Sequence, residues 1–394
     1  MPAAVLTPDF GGGKGLQSTR IRSIDILRGL AMVLMAIDHV RVYSGMPAGG
    51  PTPGIFFTRW VTHFCVPTFV FFAGTSAFLY GEKLKNKNSL SRFLVTRGLF
   101  LVLLELTLLR FCWTFNFNYS QFILAGVIWM LGCCMVILAL LVWLKPLVHV
   151  IVGLILVFFQ QAFHYLPNLL PLSWQKSFDW FWDFIYPTGQ EDHPGIAILY
   201  VLVPWIGVMM LGFGFGKILL MEAAKRKKIC LRIGLAAIGI FILTDIIMLF
   251  LNPAKADQRP ILFRFLDQKK YPPSPLYLLM TLGPLIALVP FTEKVRGRLA
   301  DIFGIFGRVP LFYYLLHIPL IHLSALLVNF IRDGTTHQDW YGYAPFTEIS
   351  KEQRWGLPLL YLVFLLVEVI LYFACRSYSR YKTLHPEKKW LKYI

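Results

Sequence analysis

Residues 22–41 read RSIDILRGLAMVLMAIDHVR, an apolar run with Asp25 and Arg28 near its start and Asp38, His39 and Arg41 near its finish. An imidazole accepts protons near neutral pH, and a guanidinium is a permanent cation suited to phosphate. The run thus offers anion binding at one end and base chemistry at the other. At 100° per residue, eleven positions return a helix to within about 20° of its starting azimuth and advance it by about 16 Å. Arg28 and His39 therefore share a face, Met32 and Met35 fall between them, and Asp25 lies close by. Such a stripe suits a long ligand with an anionic head at Arg28 and a reactive tail at His39. Acyl-coenzyme A has that form: phosphates, a slender pantetheine arm, then a thioester. Asp38 either tunes His39 as a base or holds another helix, because sequence neighbours point about 100° apart. The plainer reading of Arg28 is a snorkelling cation with Asp25 as its i, i+3 partner.

The elements that must position these groups follow from composition. Hydrophobic residues make up 57% of the 394 and charged residues 15%, with a mean hydropathy of +0.61. The apolar residues gather in about ten blocks of roughly 17–25 residues, the length a helix needs to cross the hydrocarbon core. The blocks are Leu27–Tyr43, Phe56–Tyr80, Phe93–Phe111, Phe122–Leu144, Val148–Leu166, Ile196–Ile218, Ile229–Leu251, Leu276–Phe291, Val309–Ile331 and Leu357–Cys375. The expected fold is an all-α polytopic membrane protein of about ten transmembrane helices. Most of the 38 Lys and Arg fall in the two tails and the even-numbered connections, which places both termini in the cytoplasm. The net charge of +17 is then a topology signal and no nucleic-acid footprint. Expected boundaries are a flexible tail over 1–22, one membrane domain over 23–376 and a basic tail over 377–394. The N-terminal stretch has no apolar core of a signal peptide. The six cysteines form no C-x-x-C pair and no zinc spacing, so no metal is expected.

Further residues each carry two readings. His63 in RWVTHFC either orients an acceptor at the depth of His39 or bonds a backbone carbonyl freed by Pro67. His317 and His322 flank Pro319 and diverge by about 140°, too far apart to clamp one ion; His317, near mid-depth of its helix, is a candidate wall of the ligand track. Arg308 is a second phosphate contact or a topology charge. The run GVMMLGFGFGK ends in Lys217 but has no preceding strand and no following Ser or Thr, so its glycines read as helix packing and Lys217 as a nucleotide contact. Glu105, Asp245 and Glu368 are single intramembrane acids expected to pair with arginines such as Arg110. Trp174, Trp180 and Trp182 beside Asp179 and Asp183 read as an interfacial belt or as a sugar site.

Four blocks carry a family resemblance: RSIDILRGLAMVLMAIDHVR, RWVTHFCVPTFVFFAGTSAFLYG, KYPPSPLYLLMTLGP and FGRVPLFYYLLHIPLIH. In this order, from about residue 20 to 376, the chain resembles the bacterial relatives of heparan-α-glucosaminide N-acetyltransferase. Its first block is also similar to the arginine–ten residues–histidine pattern of the wider transmembrane acyltransferase superfamily, here Arg28 to His39. The resemblance implies an enzyme of the bacterial inner membrane that takes acetyl groups from cytoplasmic acetyl-CoA and delivers them to an extracytoplasmic, carbohydrate-like amine or hydroxyl. It does not carry one histidine across. The lysosomal member has an asparagine at the position matching His39 and a histidine in the next lumenal loop, whereas SGMPAGGPTPG here has none. His39 and His63 both stay open as the catalytic base, and so do direct transfer and an acetyl-histidine route. Asp38 joins them as a catalytic candidate. Arg28, Met32, Met35, Lys217, Arg308 and His317 form the expected donor site. A homodimer is left open. The main rival is a permease or lipid flippase, disfavoured because Pro67, Pro204, Pro284, Pro310 and Pro319 do not fall into matching halves.

Overall fold

A computed structural model describes residues 21–50, 52–120, 122–187, 195–251 and 259–394. The helices are α1 (Arg22–Tyr43), α2 (Pro53–Trp60), α3 (Cys65–Leu84), α4 (Lys87–Leu104), α5 (Arg110–Thr114), α6 (Val127–Leu141), α7 (Pro146–Phe158), α8 (Leu172–Ile185), α9 (Leu202–Leu219), α10 (Ala223–Leu251), α11 (Ile261–Leu266), α12 (Pro275–Thr292), α13 (Arg298–Arg308), α14 (Pro310–Asp333) and α15 (Leu357–Leu384). Several begin on a proline in the first turn, where its missing N–H costs no helical bond and its fixed φ suits the helix. Asn86 and Ser274 cap α4 and α12 by accepting from Ser89 N at 3.0 Å and Tyr277 N at 3.1 Å. Between α4 and α5 the chain makes a π turn over Glu105–Leu109.

Six of the described helical stretches are long and apolar enough to cross a membrane: Pro53–Leu84, α9, α10, α12, α14 and α15. α6 and α7 are apolar but shorter. Two of the expected continuous helices start differently. The first residues of Phe122–Leu144 and Ile196–Ile218 form short parallel strands, β1 (Ile123–Ala125) and β2 (Ile196–Ile198), paired in register. The block Val148–Leu166 stops being α-helical at Phe158 and continues as 3₁₀ turns. Each block is apolar enough for helix or strand, and an apolar run alone does not separate the two.

α1 is the hub and packs against α3, α12, α13, α14 and α15. Its charged residues can sit in an apolar bundle because they face these neighbours rather than lipid. Two crossings are close enough to require glycine. A Cβ on Gly29 would lie 1.8 Å from the Phe303 carbonyl oxygen, and one on Gly307 would lie 1.8 Å from that of Asp25, so α1 and α13 meet backbone to backbone. Gly74 and Gly212 make the same reciprocal contact between α3 and α9, at 1.9 Å from the oxygens of Met209 and Phe71. Close approach through small residues holds helices together where lipid supplies no hydrophobic drive. Gly29→Ala is therefore expected to lower stability by at least about 1–3 kcal/mol, because backbone cannot yield as a side chain can. A melting temperature in detergent equal to that of the wild type would show that α13 docks more loosely.

The C-terminal end of α1 is fixed by the connection between α14 and α15. Trp355 N donates to Ser44 O at 3.0 Å, and Thr347 Oγ1 to Val42 O at 3.1 Å. The Tyr341 hydroxyl donates to Tyr43 O at 3.3 Å and accepts from Asn329 Nδ2 at 2.9 Å. Burial pushes the Tyr341 phenol up to about 12, so it keeps the proton it donates.

Candidate active site

His39, near the C-terminal end of α1, meets His317 of α14 ring to ring, with centroids 4.9 Å apart. His39 Nδ1 and His317 Nε2 are 2.7 Å apart. The far nitrogen, His317 Nδ1, lies 2.7 Å from the Tyr314 carbonyl oxygen and 3.2 Å from that of Tyr313. A carbonyl only accepts, so His317 Nδ1 carries the hydrogen. In a neutral ring its Nε2 is then the acceptor, and His39 Nδ1–H donates to it. This chain assigns the lone pair of His39 to Nε2. The arrangement of a base oriented by a second residue, itself tied to backbone, is the one general-base catalysis needs.

Two cavities adjoin across Val127 and Tyr314, and the second of them is lined by His39. The first, of about 390 Å³, is lined by Arg28 and Met32 of α1, Ser76 and Tyr80 of α3, Arg97 of α4 and Tyr314 of α14, among others. Arg28 donates to Ser76 Oγ at 2.8 Å and to Phe72 O at 3.3 Å, which fixes the guanidinium on the cavity wall. The second, of about 210 Å³, is lined by His39, Asp38, Arg59, Glu105, Trp113 and Tyr314, among others. Val127 and Tyr314 line both. A third hollow of about 700 Å³ shares Arg41, Val42, Ala48, Pro345 and Phe346 with the second, and so continues it past the end of α1. The row runs from Arg28, past His39, to the connection between α14 and α15.

Asp38 turns away from the imidazole pair. Its carboxylate accepts from Arg41 Nε at 2.9 Å and from Arg59 Nη1 at 2.6 Å, and Lys270 Nζ lies 4.0 Å away. Of its two expected roles, this geometry is the one that holds other elements, tying α1 to α2 and to the loop before α12. His63 is buried and bridges differently: its backbone oxygen accepts from the Tyr277 hydroxyl at 2.7 Å, and its ring packs on Tyr277 at 5.5 Å. It does not line any of the three cavities.

The expected donor residues separate. Arg28 and Met32 line the first cavity, with Arg97 as a second arginine that the sequence reading did not single out. Met35 is buried in the core and is not among the side chains on the cavity walls. His317 reaches His39 rather than that cavity. Lys217 and Arg308 are exposed at the ends of α9 and α13, off the lining. His322 packs on Phe115 at 3.9 Å and on Tyr43 at 4.9 Å, away from the His39–His317 pair.

The expected pairing of intramembrane acids with Arg110 is corrected by its hydrogen bonds. Arg110 donates to the backbone oxygens of Phe122 at 2.9 Å, Asn118 at 2.8 Å and Asn116. These carbonyls close the loop after α5, where no helix satisfies them. Glu105 accepts from Ile128 N at 2.8 Å and Trp129 N at 3.2 Å, Asp245 from Gln268 Nε2 at 3.0 Å, and Glu368 from the Tyr313 hydroxyl. Of the aromatic segment read as a belt or a sugar site, α8 holds Trp174, Trp180 and Trp182, while the Asp179 side chain lies outside the described residues.

An apolar helical bundle that encloses a histidine pair between cavities defines a multi-pass membrane protein with a sheltered polar centre. Residues 20–246 match the family model described as heparan-alpha-glucosaminide N-acetyltransferase, catalytic. The chain belongs to that family, which makes it an acyltransferase. The match spans α1 to most of α10 and so contains Arg28, Asp38, His39, Arg97 and Glu105. No curated protein matches the chain.

Proposed function

We propose that this protein is a membrane-embedded acetyltransferase that moves the acetyl group of cytoplasmic acetyl-CoA to an amine or hydroxyl of an extracytoplasmic, carbohydrate-like acceptor. The observation that carries the reading is the position of His39 on the wall of a cavity that adjoins the Arg28 cavity across Val127 and Tyr314 and leads on towards the other end of α1. The excess of Lys and Arg in the tails and even-numbered connections supports cytoplasmic termini, and with them a cytoplasmic Arg28 end. The bacterial inner membrane is the setting that agrees with this arrangement, with residues 23–376 as the membrane domain.

Arg28 and Arg97 supply positive charge for coenzyme A phosphates, and the cavity wall that includes Met32 suits the pantetheine arm. The thioester carbonyl then lies towards Tyr314 and His39. His39 Nε2 takes the proton of the acceptor N–H or O–H as its heteroatom attacks the carbonyl carbon. The new C–N or C–O bond forms, the C–S bond breaks, and the coenzyme A sulfur leaves with the proton that His39 returns. In the alternative route His39 Nε2 attacks the carbonyl carbon, the C–S bond breaks and coenzyme A leaves as the thiolate. The acceptor heteroatom then attacks the acetyl carbon, the C–N bond to His39 breaks, and the acceptor's proton ends on the thiolate. Either way the nucleotide stays on one side.

The test is transfer of labelled acetyl from acetyl-CoA by purified protein in proteoliposomes. Arg28→Ala is expected to raise the KM for acetyl-CoA about tenfold or more while largely sparing kcat, since a charge-assisted phosphate contact contributes about 1.5–3 kcal/mol. Solute movement without acetyl-CoA, and no acetyl consumed, would favour a permease.

A further inference from the structure

The first two cavities share two side chains, Val127 and Tyr314. Of these only Tyr314 can donate a hydrogen bond. It stands near the start of α14, which Pro310 opens. Its backbone oxygen accepts from His317 Nδ1 at 2.7 Å, and its ring meets His317 edge-on with centroids 5.0 Å apart. The same ring meets His39 edge-on, with centroids 6.4 Å apart. Tyr314 is 5% exposed, and among the described residues its hydroxyl has no hydrogen-bond partner. A buried tyrosine hydroxyl normally finds one. The other donors on the second cavity are committed: Arg41 and Arg59 hold Asp38, and the Tyr200 and Tyr271 hydroxyls lie 3.2 Å apart. The Trp113 indole N–H is also without a partner, but it is sealed from solvent and its ring lines the second cavity alone.

We propose that the Tyr314 hydroxyl is the hydrogen-bond donor to the acetyl carbonyl oxygen in the transition state. This rests on the acetyltransferase reading and adds a catalytic residue to it. A thioester that enters past Arg28 and presents its carbonyl carbon to His39 crosses where Tyr314 lies. As a nucleophile adds to that carbon, the carbonyl π pair moves onto oxygen, and the Tyr314 O–H stabilises the charge. The proton stays on Tyr314. When the tetrahedral centre collapses, the pair returns to the C=O bond and the C–S bond breaks with its electrons on sulfur. The same oxyanion forms in direct transfer and in the acetyl-histidine route, so the role is independent of the route. One residue then acts twice: its backbone oxygen orients the histidine pair, and its hydroxyl holds the substrate oxygen.

The experiment compares wild type with Tyr314→Phe, which keeps both ring contacts and loses only the hydroxyl. Transfer from acetyl-CoA in proteoliposomes is expected to lose about 10²–10³-fold in kcat, the cost of removing one oxyanion donor. The dissociation constant for coenzyme A should stay within twofold. Difference infrared spectroscopy of bound acetonyl-CoA, isotopically labelled at the carbonyl carbon, reads the contact directly. This ketone keeps a carbonyl beside the reacting position and has no acyl C–S bond to break. Its C=O stretch is expected at lower wavenumber in wild type than in Tyr314→Phe. Turnover of the variant within threefold of wild type would overturn the assignment. So would a loss of turnover with an unshifted carbonyl stretch, which marks a residue that only supports the histidine pair. Wild type that transfers no acetyl from acetyl-CoA would instead sink the acetyltransferase reading, and this donor with it.

Discussion

His39→Ala is expected to lower kcat for acetyl transfer by about 10²–10⁴-fold, the range associated with loss of a positioned general base. The argument is geometric. His39 Nδ1 is committed to His317 Nε2 at 2.7 Å, and His317 Nδ1 is committed to the Tyr314 carbonyl. Only His39 Nε2 is left to take a proton, on a ring that faces the second cavity. Alanine removes that lone pair and leaves the first cavity unchanged, since its arginines belong to positions a turn or more away. Coenzyme A affinity should therefore stay within about twofold while turnover collapses, a loss expressed only in the transition state. Steady-state kinetics beside equilibrium coenzyme A binding separates the two. Turnover within threefold of wild type would hand the role of base to another residue, and His63→Ala would be the next variant.

Asp38→Ala is expected to destabilise the fold by about 3–5 kcal/mol, the cost of stripping one partner from a buried ion pair. Asp38, Arg41 and Arg59 are each only 9–14% exposed at the side chain, so water does little to replace the lost carboxylate. Lys270 adds a third cation to the same site. Asp38→Asn should fall between alanine and wild type, because the amide oxygen still accepts from one arginine. The measurement is thermal unfolding in detergent by size-exclusion chromatography. It also separates the two readings of this residue. A holding role lowers the melting temperature in both variants, whereas a direct catalytic role lowers turnover in Asp38→Asn at unchanged melting temperature.

What the sequence disclosed was local. The stripe from Arg28 through Met32 to His39 follows from helical periodicity alone; of it, Arg28 and Met32 line the first cavity and His39 the second. Periodicity also separated His317 from His322, which now face different clusters. It could not show that His317 meets His39, because that contact joins residues 278 apart in the chain. Nor could it show Arg59 crossing from α2 to Asp38, or Glu105 reaching the start of α6. An isolated acid in an apolar block reads only as a group in need of a partner, and the partner here was backbone. α13 lies between the apolar blocks Leu276–Phe291 and Val309–Ile331, where Arg298, Asp301 and Arg308 give the stretch the charge of a connection. The strands β1 and β2 are three residues each, too short for an alternating pattern to register.

The burial of α1 at the centre of the bundle bears on how the chain is made. α1 is the first described helix to leave the ribosome, yet α13, α14 and α15, which enclose it, are translated last. Until they arrive, two acids and three arginines must be tolerated in a segment too polar to rest alone in lipid. The short-range link from Arg41 to Asp38 within the helix, and Arg59 supplied by the next one, cancel part of that charge early. Biogenesis of this protein is therefore a waiting problem, and a truncation that ends before α13 should leave its N-terminal segment exposed to quality-control proteases.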